Sequence, residues 1–314
     1  MTSKTQIAKF LDIRAALQRG IAELRAANIP AYTLAAELLL LHAVGKERAW
    51  IYSHPEEKLS AEQRQTFLSL IARRAAGEPV QHLIGHQEFW GLDFRVNPDV
   101  LIPRPETEHV IEVTLDRLAL REVRECRPRT TDGGGLFIAD VGTGSGCIAI
   151  ALAKELPQAR FYASDISRAA LVVAKRNAEQ HNVSERIVFS HSNLLDGAND
   201  ANSIADRKNG PHFDVVVSNP PYIGRREEET LAREVRDHEP PAALFGGEEG
   251  YELYGALIAQ SAQHLRPSGL VVLELGHNSL AAVHPLLTEP LWSRAAVTND
   301  LAGIPRVIAA EKIR

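Results

Sequence analysis

Cysteine is almost missing from this chain: Cys126 and Cys147 are the only two in 314 residues, and they form no CxxC pair. No charged n-region followed by an apolar h-region opens the sequence, so secretion is not expected and a reducing cytoplasm is the expected compartment. A surplus of positive charge is lacking too. The formal net charge is -5 and the sequence pI about 6.2, which removes the basic excess that non-specific phosphate-backbone binding uses and disfavours a nucleic-acid substrate. The richest apolar runs, Leu38 to Leu41 and Cys147 to Ala153, fall far short of the roughly 20 residues a membrane helix needs. A soluble protein follows as the expectation. None of the twelve histidines falls in an HExxH or comparable spacing, so no metal is expected. No internal repeat is visible. What is present is a globular composition, 45% hydrophobic and 24% charged, over a length that suits one large domain and a smaller one.

The N-terminal stretch, from Lys4 to about Gly77, has helical periodicity. Ile7, Phe10, Leu11, Leu17, Ile21 and Leu24 recur at three- and four-residue steps, and Leu38, Leu39, Leu41 and His42 continue the pattern. Ser60 with Gln63 reads as a capping box before Phe67, Leu68, Leu70 and Ile71, and Gly77 followed by Pro79 stops that helix. Phe89 to Val100 mixes aromatic and β-branched residues with Gly91, Asn97, Pro98 and Asp99, which predicts a short hairpin. A helix is expected from about Glu106 to Leu120, then a polar surface loop from Arg124 to Gly135. Beyond it, Leu136 to Val141, Arg160 to Asp165, Arg186 to Ser190, Phe213 to Ser218 and Gly269 to Leu275 read as short apolar strands, most of them separated by helices such as Ser167 to Gln180. Ala295 to Thr298 and Arg306 to Ala310 supply two last strands around a turn at Gly303 and Pro305. The alternation implies an α/β fold with a parallel sheet. The polar loops at Asp196 to Pro211 and Gly224 to Gly250 stand out, the second as a candidate lid.

Asp140-Val141-Gly142-Thr143-Gly144-Ser145-Gly146 follows an apolar strand and precedes the helical run Cys147 to Leu156. Glycines there let the backbone turn tightly and approach a ligand. The dinucleotide fingerprint wants Gly or Ala where Cys147 stands, and a Gly-Lys-Ser/Thr phosphate loop is absent. The spacing instead resembles motif I of the Rossmann-like methyltransferases, which implies S-adenosyl-L-methionine as cofactor and S-adenosyl-L-homocysteine as product. Asp165 ends the next strand, 23 positions after Gly142, where a carboxylate can accept both ribose hydroxyl hydrogens of either NAD or S-adenosylmethionine. A helix N-cap before Ser167 is its plainer reading. In the methyltransferase scheme the third strand ends at Ser192-Asn193-Leu194, with Asn193 at the adenine edge and Leu194 on its face. Many methyltransferases have Asp at the position of Asn193, and an amide can pair with the same edge.

Asn219-Pro220-Pro221-Tyr222 ends the apolar strand Phe213 to Ser218, at the carboxyl edge where open α/β sheets place ligands. Prolines fix φ and remove N–H donors, so the carbonyls of this loop are held in set directions. The side-chain oxygen of Asn219 and the carbonyl of Pro220 can each accept one N–H of a planar NH2 group, on which Tyr222 can pack. An amide nitrogen is a poor nucleophile, so its in-line placement matters more than a strong base. A rigid turn is the bland alternative; the order of glycine loop, Asp165 and tetrapeptide argues against it. The same clamp suits a flipped adenine amine, so a DNA adenine-N6 methyltransferase stays open, as does a non-catalytic cofactor-binding adaptor.

Further motifs narrow the choice. Glu78-Pro79-Val80-Gln81-His82-Leu83, Glu88-Phe89-Trp90-Gly91, Leu101-Ile102-Pro103-Arg104-Pro105-Glu106-Thr107-Glu108 and Val235-Arg236-Asp237-His238-Glu239-Pro240, with the glycine loop and tetrapeptide, make nearly the whole chain resemble the release factor glutamine methyltransferases. The resemblance implies methylation of the glutamine N5 in the Gly-Gly-Gln loop of class 1 peptide chain release factors, by a monomer that contacts neither nucleic acid nor membrane. The related ribosomal-protein glutamine methyltransferases usually carry Ser-Pro after the Pro-Arg, so Pro105 to Glu108 favours the release-factor branch. The resemblance also puts Phe89 near the mouth of the site and makes Arg104 and Glu106 possible substrate or cofactor contacts. Domain-interface packing of Phe89 and Trp90, and a helix entrance at Arg104 to Glu108, are the structural alternatives. The Arg225 to Arg236 charge run reads as a solvated helix or a lid against the release factor. The expected architecture is a helical-bundle docking domain over 1–85, a hairpin linker over 86–105, and a Rossmann-like class I methyltransferase domain over 106–314 with a seven-stranded, mostly parallel sheet.

Overall fold

The computed structural model describes residues 11–125, 135–198 and 213–313, without the side chains of 122–125. Lys4, Ile7, Phe10 and Cys126 lie outside the described residues, as do most of the polar loop from Arg124 to Gly135 and of that from Asp196 to Pro211. The chain divides into two compact units, one of Met1–Gly85 with Ala232–His238 and one of His86–Leu231 with Glu239–Arg314. Among the described residues no helix is long and apolar enough to cross a membrane.

The smaller unit holds α1 (Ile13–Ala26), α2 (Tyr32–Val44), α3 (Arg48–Ser53), α4 (Ala61–Ala75) and α5 (Val80–Ile84). Asp12 caps α1, its carboxylate accepting the Ala15 N–H at 2.7 Å. Ser60 and Gln63 form the reciprocal capping box of α4, with bonds of 3.1 and 3.0 Å. Leu24, Leu39, Leu40, Phe67 and Ile71 meet in the interior. The far segment Ala232–His238 joins this unit through a pair between Glu234 and the buried Arg74, whose guanidinium also donates to the Glu78 carbonyl at 3.0 Å.

The larger unit opens with a hairpin, β1 (His86–Phe89) and β2 (Leu92–Arg95). It lies earlier than the expected Phe89 to Val100, because its two-residue turn is Trp90-Gly91, with φ of 54° and 67°. Two left-handed residues make the turn whose twist suits a hairpin, and Trp is not a residue that announces one. Trp90 is held there by its backbone N–H on Glu108 and its indole N–H on Glu155, both at 2.8 Å. After a short 3-10 turn at Pro105–Thr107 comes α6 (Glu108–Glu125). Then follow β3 (Phe137–Val141), α7 (Cys147–Glu155), β4 (Arg160–Asp165), α8 (Arg168–Gln180), β5 (Ile187–His191) and β6 (Phe213–Ser218). A small strand pair, β7 (Ile223–Gly224) and β8 (Phe245–Gly247), brackets α9 (Arg233–His238) and α10 (Pro241–Leu244). The chain ends with α11 (Glu252–His264), β9 (Leu265–Glu274), α12 (Leu280–Val283), β10 (Ala296–Asn299) and β11 (Pro305–Glu311).

The seven-stranded sheet runs β10-β11-β9-β6-β3-β4-β5. β11 is antiparallel to both its neighbours, and the pairs from β9 to β5 are parallel. Helices cover both faces, so the central strands β3 and β6 are buried at every position rather than at alternate ones. In β3, Ile138 enters one core while Phe137, Ala139 and Val141 enter the other.

The buried Asn177 of α8 ties this framework together. Its side-chain oxygen accepts the Arg95 N–H at 2.9 Å, and its NH2 donates to the carbonyls of Arg95 at 3.0 Å and Ser145 at 2.8 Å. Asn177→Ala leaves three backbone groups without partners and is expected to lower stability by about 2–4 kcal/mol, measurable by urea unfolding.

Candidate active site

Strand register builds the site. Val141 of β3 lies opposite Ser164 of β4 and Ser218 of β6, and Ser218 lies opposite Leu273 of β9. The next residue on each strand therefore falls in one row at the carboxyl edge: Asp165, Gly142, Asn219 and Glu274. The strand order reverses between β3 and β6, and a crevice for ligands opens at such a switch point.

The glycine loop is left-handed at Gly142, Gly144 and Gly146, with φ of 72°, 56° and 85°, which only glycine adopts without strain. A Cβ placed on Gly142 or Gly144 would meet no atom within 4 Å, so open space for a ligand lies over the loop. The Gly142 and Thr143 N–H groups donate to the Ser164 carbonyl at 2.8 and 2.9 Å. Thr143 and Ser145 turn inward and are buried. The Thr143 hydroxyl and the Ala149 N–H both donate to Asp140 Oδ2, at 2.7 and 3.1 Å, which pins the loop to the start of α7. Burial drives the Asp140 carboxyl up to about 7, against those two hydrogen bonds.

Asp165 accepts the Gly144 N–H on Oδ2 at 2.9 Å and the Ser167 N–H on Oδ1 at 2.8 Å. Each oxygen keeps lone pairs for further donors, and the carboxylate is only partly covered. Burial raises its pKa, with the Ser167 and Gly144 N–H groups opposing. Just past β5, Asn193 is exposed, while Leu194 is half-buried with φ 49° and packs on the core below the loop.

The tetrapeptide follows β6. Asn219 donates its Nδ2–H to the hydroxyl of buried Thr107 at 3.0 Å, so Oδ1 is the end of the amide left for another donor. Pro220 is buried and Pro221 half-buried. Tyr222 donates its hydroxyl to Glu274 Oε1 at 3.2 Å; burial first, and then the Glu274 charge, push its pKa well up. Burial likewise raises the Glu274 carboxyl to about 7, opposed by the Thr107 and Tyr222 hydroxyls and the Arg306 charge and reinforced by Glu106. Two glycines fix the loop from behind. A Cβ on Gly246 would collide with the Pro221 carbonyl, and one on Gly250 with that of Tyr222. A cavity of about 420 Å³ opens beside Tyr222, lined also by Gly224, Arg226, Glu249, Tyr251 and His277.

The other expected contacts are distributed differently. Arg104 forms an ion pair with buried Glu239, joining the Leu101 to Glu108 and Val235 to Pro240 motifs. Glu106 is half-buried. Phe89 is a core residue, 1% exposed and edge-on to Phe94. The charge run is ordered as a 3-10 turn over Arg225–Thr230 and as α9. Thr107, Glu274 and Gly246 were not singled out in the sequence, although a lone acid inside Val271-Val272-Leu273-Glu274-Leu275 is the pattern of a buried functional charge. Among the described residues no group of three or more His, Cys, Asp or Glu stands close enough to hold a metal.

The chain is similar to known methyltransferases over most of its length. Residues 15–85 match a family described as PrmC N-terminal domain, and residues 131–237 one described as Methyltransferase small domain. A release factor glutamine methyltransferase of Koribacter versatilis is 41% identical over 302 residues, covering 96% of this chain and 99% of its own. One from Nitratidesulfovibrio vulgaris is 38% identical, covering 94% of each chain. In fold, the chain resembles the delta-N METTL16 MTase domain at a TM-score of 0.50 and 22% identity, over 72% of this chain and 90% of that one.

Two outcomes follow from the site. Asp140 and Glu274 hold protons in the folded state up to about pH 7, whereas the unfolded chain releases them near pH 4. The folded state therefore binds more protons in this window, and stability is expected to fall as pH rises from about 4 through 7. Asp140→Asn should remove part of that fall in denaturant titrations at several pH values. Gly246→Ala should displace the Pro221 carbonyl and cut turnover roughly tenfold or more, with the fold intact by circular dichroism.

Proposed function

The chain belongs to the family of release factor glutamine methyltransferases, and from that premise we propose that it methylates the N5 nitrogen of the Gly-Gly-Gln glutamine in class 1 peptide chain release factors, using S-adenosylmethionine. The observation that carries the proposal is the row of glycine loop, Asp165 and Asn219 on one sheet edge, with the Asn219 nitrogen already occupied by Thr107.

The residues present suit the cofactor. The open space over Gly142 and Gly144 admits its amino-acid part and ribose, and Asp165 offers unused lone pairs to the ribose hydroxyls. Asn193 and Leu194 are the residues that would hold the adenine, the first at its edge and the second on its face. S-adenosylmethionine supplies an electrophilic methyl group on a sulfonium. Everything else is positioning. Asn219 Oδ1 and the Pro220 carbonyl each accept one N–H of the substrate amide, while the prolines supply no competing N–H. Tyr222 backs the planar group. Fixing the nitrogen in line compensates for its delocalised lone pair, and its proton leaves once the methylated nitrogen has become acidic, so no dedicated base is needed.

The helical region 1–85 docks the release factor in this reading, with 86–105 as the link to the catalytic region 106–314. The motif Pro105 to Glu108 supports the release-factor branch over ribosomal-protein methylation, and the net charge of -5 argues against a DNA base as acceptor.

Mass spectrometry of a release factor incubated with the enzyme and S-adenosylmethionine is expected to find one added methylene on the loop glutamine. Labelling of DNA instead would sink the proposal. Asn219→Ala should reduce methyl transfer roughly a hundredfold or more while retaining cofactor binding by calorimetry.

A further inference from the structure

The tetrapeptide leans on two segments that are far apart in the chain. Thr107, which closes the 3-10 turn Pro105–Thr107, accepts the Asn219 Nδ2–H at 3.0 Å. Gly246 of β8 lies against Pro221, where a Cβ would collide with the carbonyl oxygen, and its neighbour Phe245 pairs with Ile223. The ion pair between Arg104 and Glu239 fastens these two supports to each other. Thr107 stands three residues after Arg104, and Gly246 seven after Glu239. A closed ring therefore runs from Asn219 through Thr107, Arg104, Glu239 and Gly246 to Pro221, all of it within the larger unit.

Both arms of the ring are stiff. Proline follows each member of the pair, as Arg104-Pro105 and as Glu239-Pro240-Pro241, and proline fixes its own φ and holds the residue before it extended. Arg104 has φ -103° and ψ 142°, and its carbonyl accepts the Thr107 N–H at 3.0 Å. The Pro240 carbonyl accepts the Ala243 N–H at 2.9 Å in α10, which runs directly into β8. A shift at either member of the pair is thus carried to Thr107 or to Gly246 rather than absorbed by a loose loop. The pair itself is durable. An exposed ion pair gives way to water at little cost, but the Glu239 side chain is only 1% exposed, and taking a partner from a carboxylate so deeply buried is strongly unfavourable.

An amide nitrogen reacts only when held in line, and a displacement of about 1 Å can cost a hundredfold in rate. We infer, on the reading that the tetrapeptide clamps the substrate amide, that Arg104 and Glu239 are positioning residues for methyl transfer. Their ion pair fixes the spacing between Thr107 and Gly246, and with it the placement of the Asn219 side chain relative to the Pro220-Pro221 backbone. Arg104 acts through Thr107 and touches neither substrate nor cofactor; Glu239 acts through α10 and β8.

Variants of similar shape test this. Glu239→Leu breaks the link, and the double variant Arg104→Met/Glu239→Leu breaks it while leaving no buried charge unpaired, so it stays usable if a single variant fails to fold. Each is expected to lower kcat for release-factor methylation roughly ten- to a hundredfold, per folded molecule as measured by urea unfolding, with both KM values unchanged. The double variant should lose no more than Glu239→Leu does, because the two residues act as one unit. Glu239→Gln, which keeps a carbonyl oxygen for the guanidinium, should retain most of the rate. Wild-type kcat in the folded double variant would reduce the pair to a purely structural brace and overturn the inference. A raised KM for the release factor at unchanged kcat would mean that Arg104 touches substrate, and overturns it equally. A crystal structure of the double variant gives a readout independent of turnover: Thr107 and Gly246 are expected to move apart, with the Asn219 to Thr107 bond lengthened or lost, and an unchanged clamp overturns the inference. A wild type that methylates no release factor refutes the functional reading, and the crystal structure then decides this inference alone.

Discussion

Ser218 lies between Val141 on one side and Leu273 on the other, and Val141 in turn faces Ser164. Everything at the site depends on that four-strand register. In a parallel sheet every strand ends at the same edge, so one register brings together the residues that follow four strands distant in sequence. A slip of one residue on β6 would turn Asn219 to the opposite face and part it from Thr107. The cores on both faces resist such a slip, because Val215 and Val217 fill one and Phe213 and Val216 the other.

Upon this rigid edge the chain places two buried acids, Asp140 and Glu274. Each is drawn toward neutrality by burial and toward charge by the hydrogen bonds it accepts, from Thr143 and Ala149 at Asp140 and from Tyr222 at Glu274. Asp140 organises the glycine loop through Thr143 and Ala149, and Glu274 holds the Tyr222 end of the tetrapeptide. A buried carboxylate is costly in stability. Its return is directional: once ionised the group only accepts, and so orients the donors around it. Both halves of the site are held from below in the same way, leaving the upper surface to ligands.

Much of this was legible in the residues. The strands Arg160–Asp165 and Phe213–Ser218 lie where apolar runs and flanking polar residues put them, and Ser60 and Gln63 form the box their spacing predicts. Fully buried parallel strands and capping boxes are local patterns, so local sequence carries them. The hairpin lies within the expected 86–105 but begins before Phe89, because Trp90 takes a left-handed turn position through contacts with Glu108 and Glu155, 18 and 65 residues away. Phe89 stands in an aromatic motif that suits a site mouth as well as a core, and it is buried against Phe94.

The sequence alone determined the order of glycine loop, ribose-type carboxylate and Asn-Pro-Pro-Tyr, and with it an α/β sheet carrying chemistry at its carboxyl edge. These follow from turn chemistry and hydrophobic period, which act over a few residues. The tertiary structure decided the partners. Thr107 reaches Asn219 across 112 residues and Glu274 reaches Tyr222 across 52, separations at which no periodicity survives. Which end of the Asn219 amide is available depends on Thr107, a partner that Asn219 meets only in the folded chain.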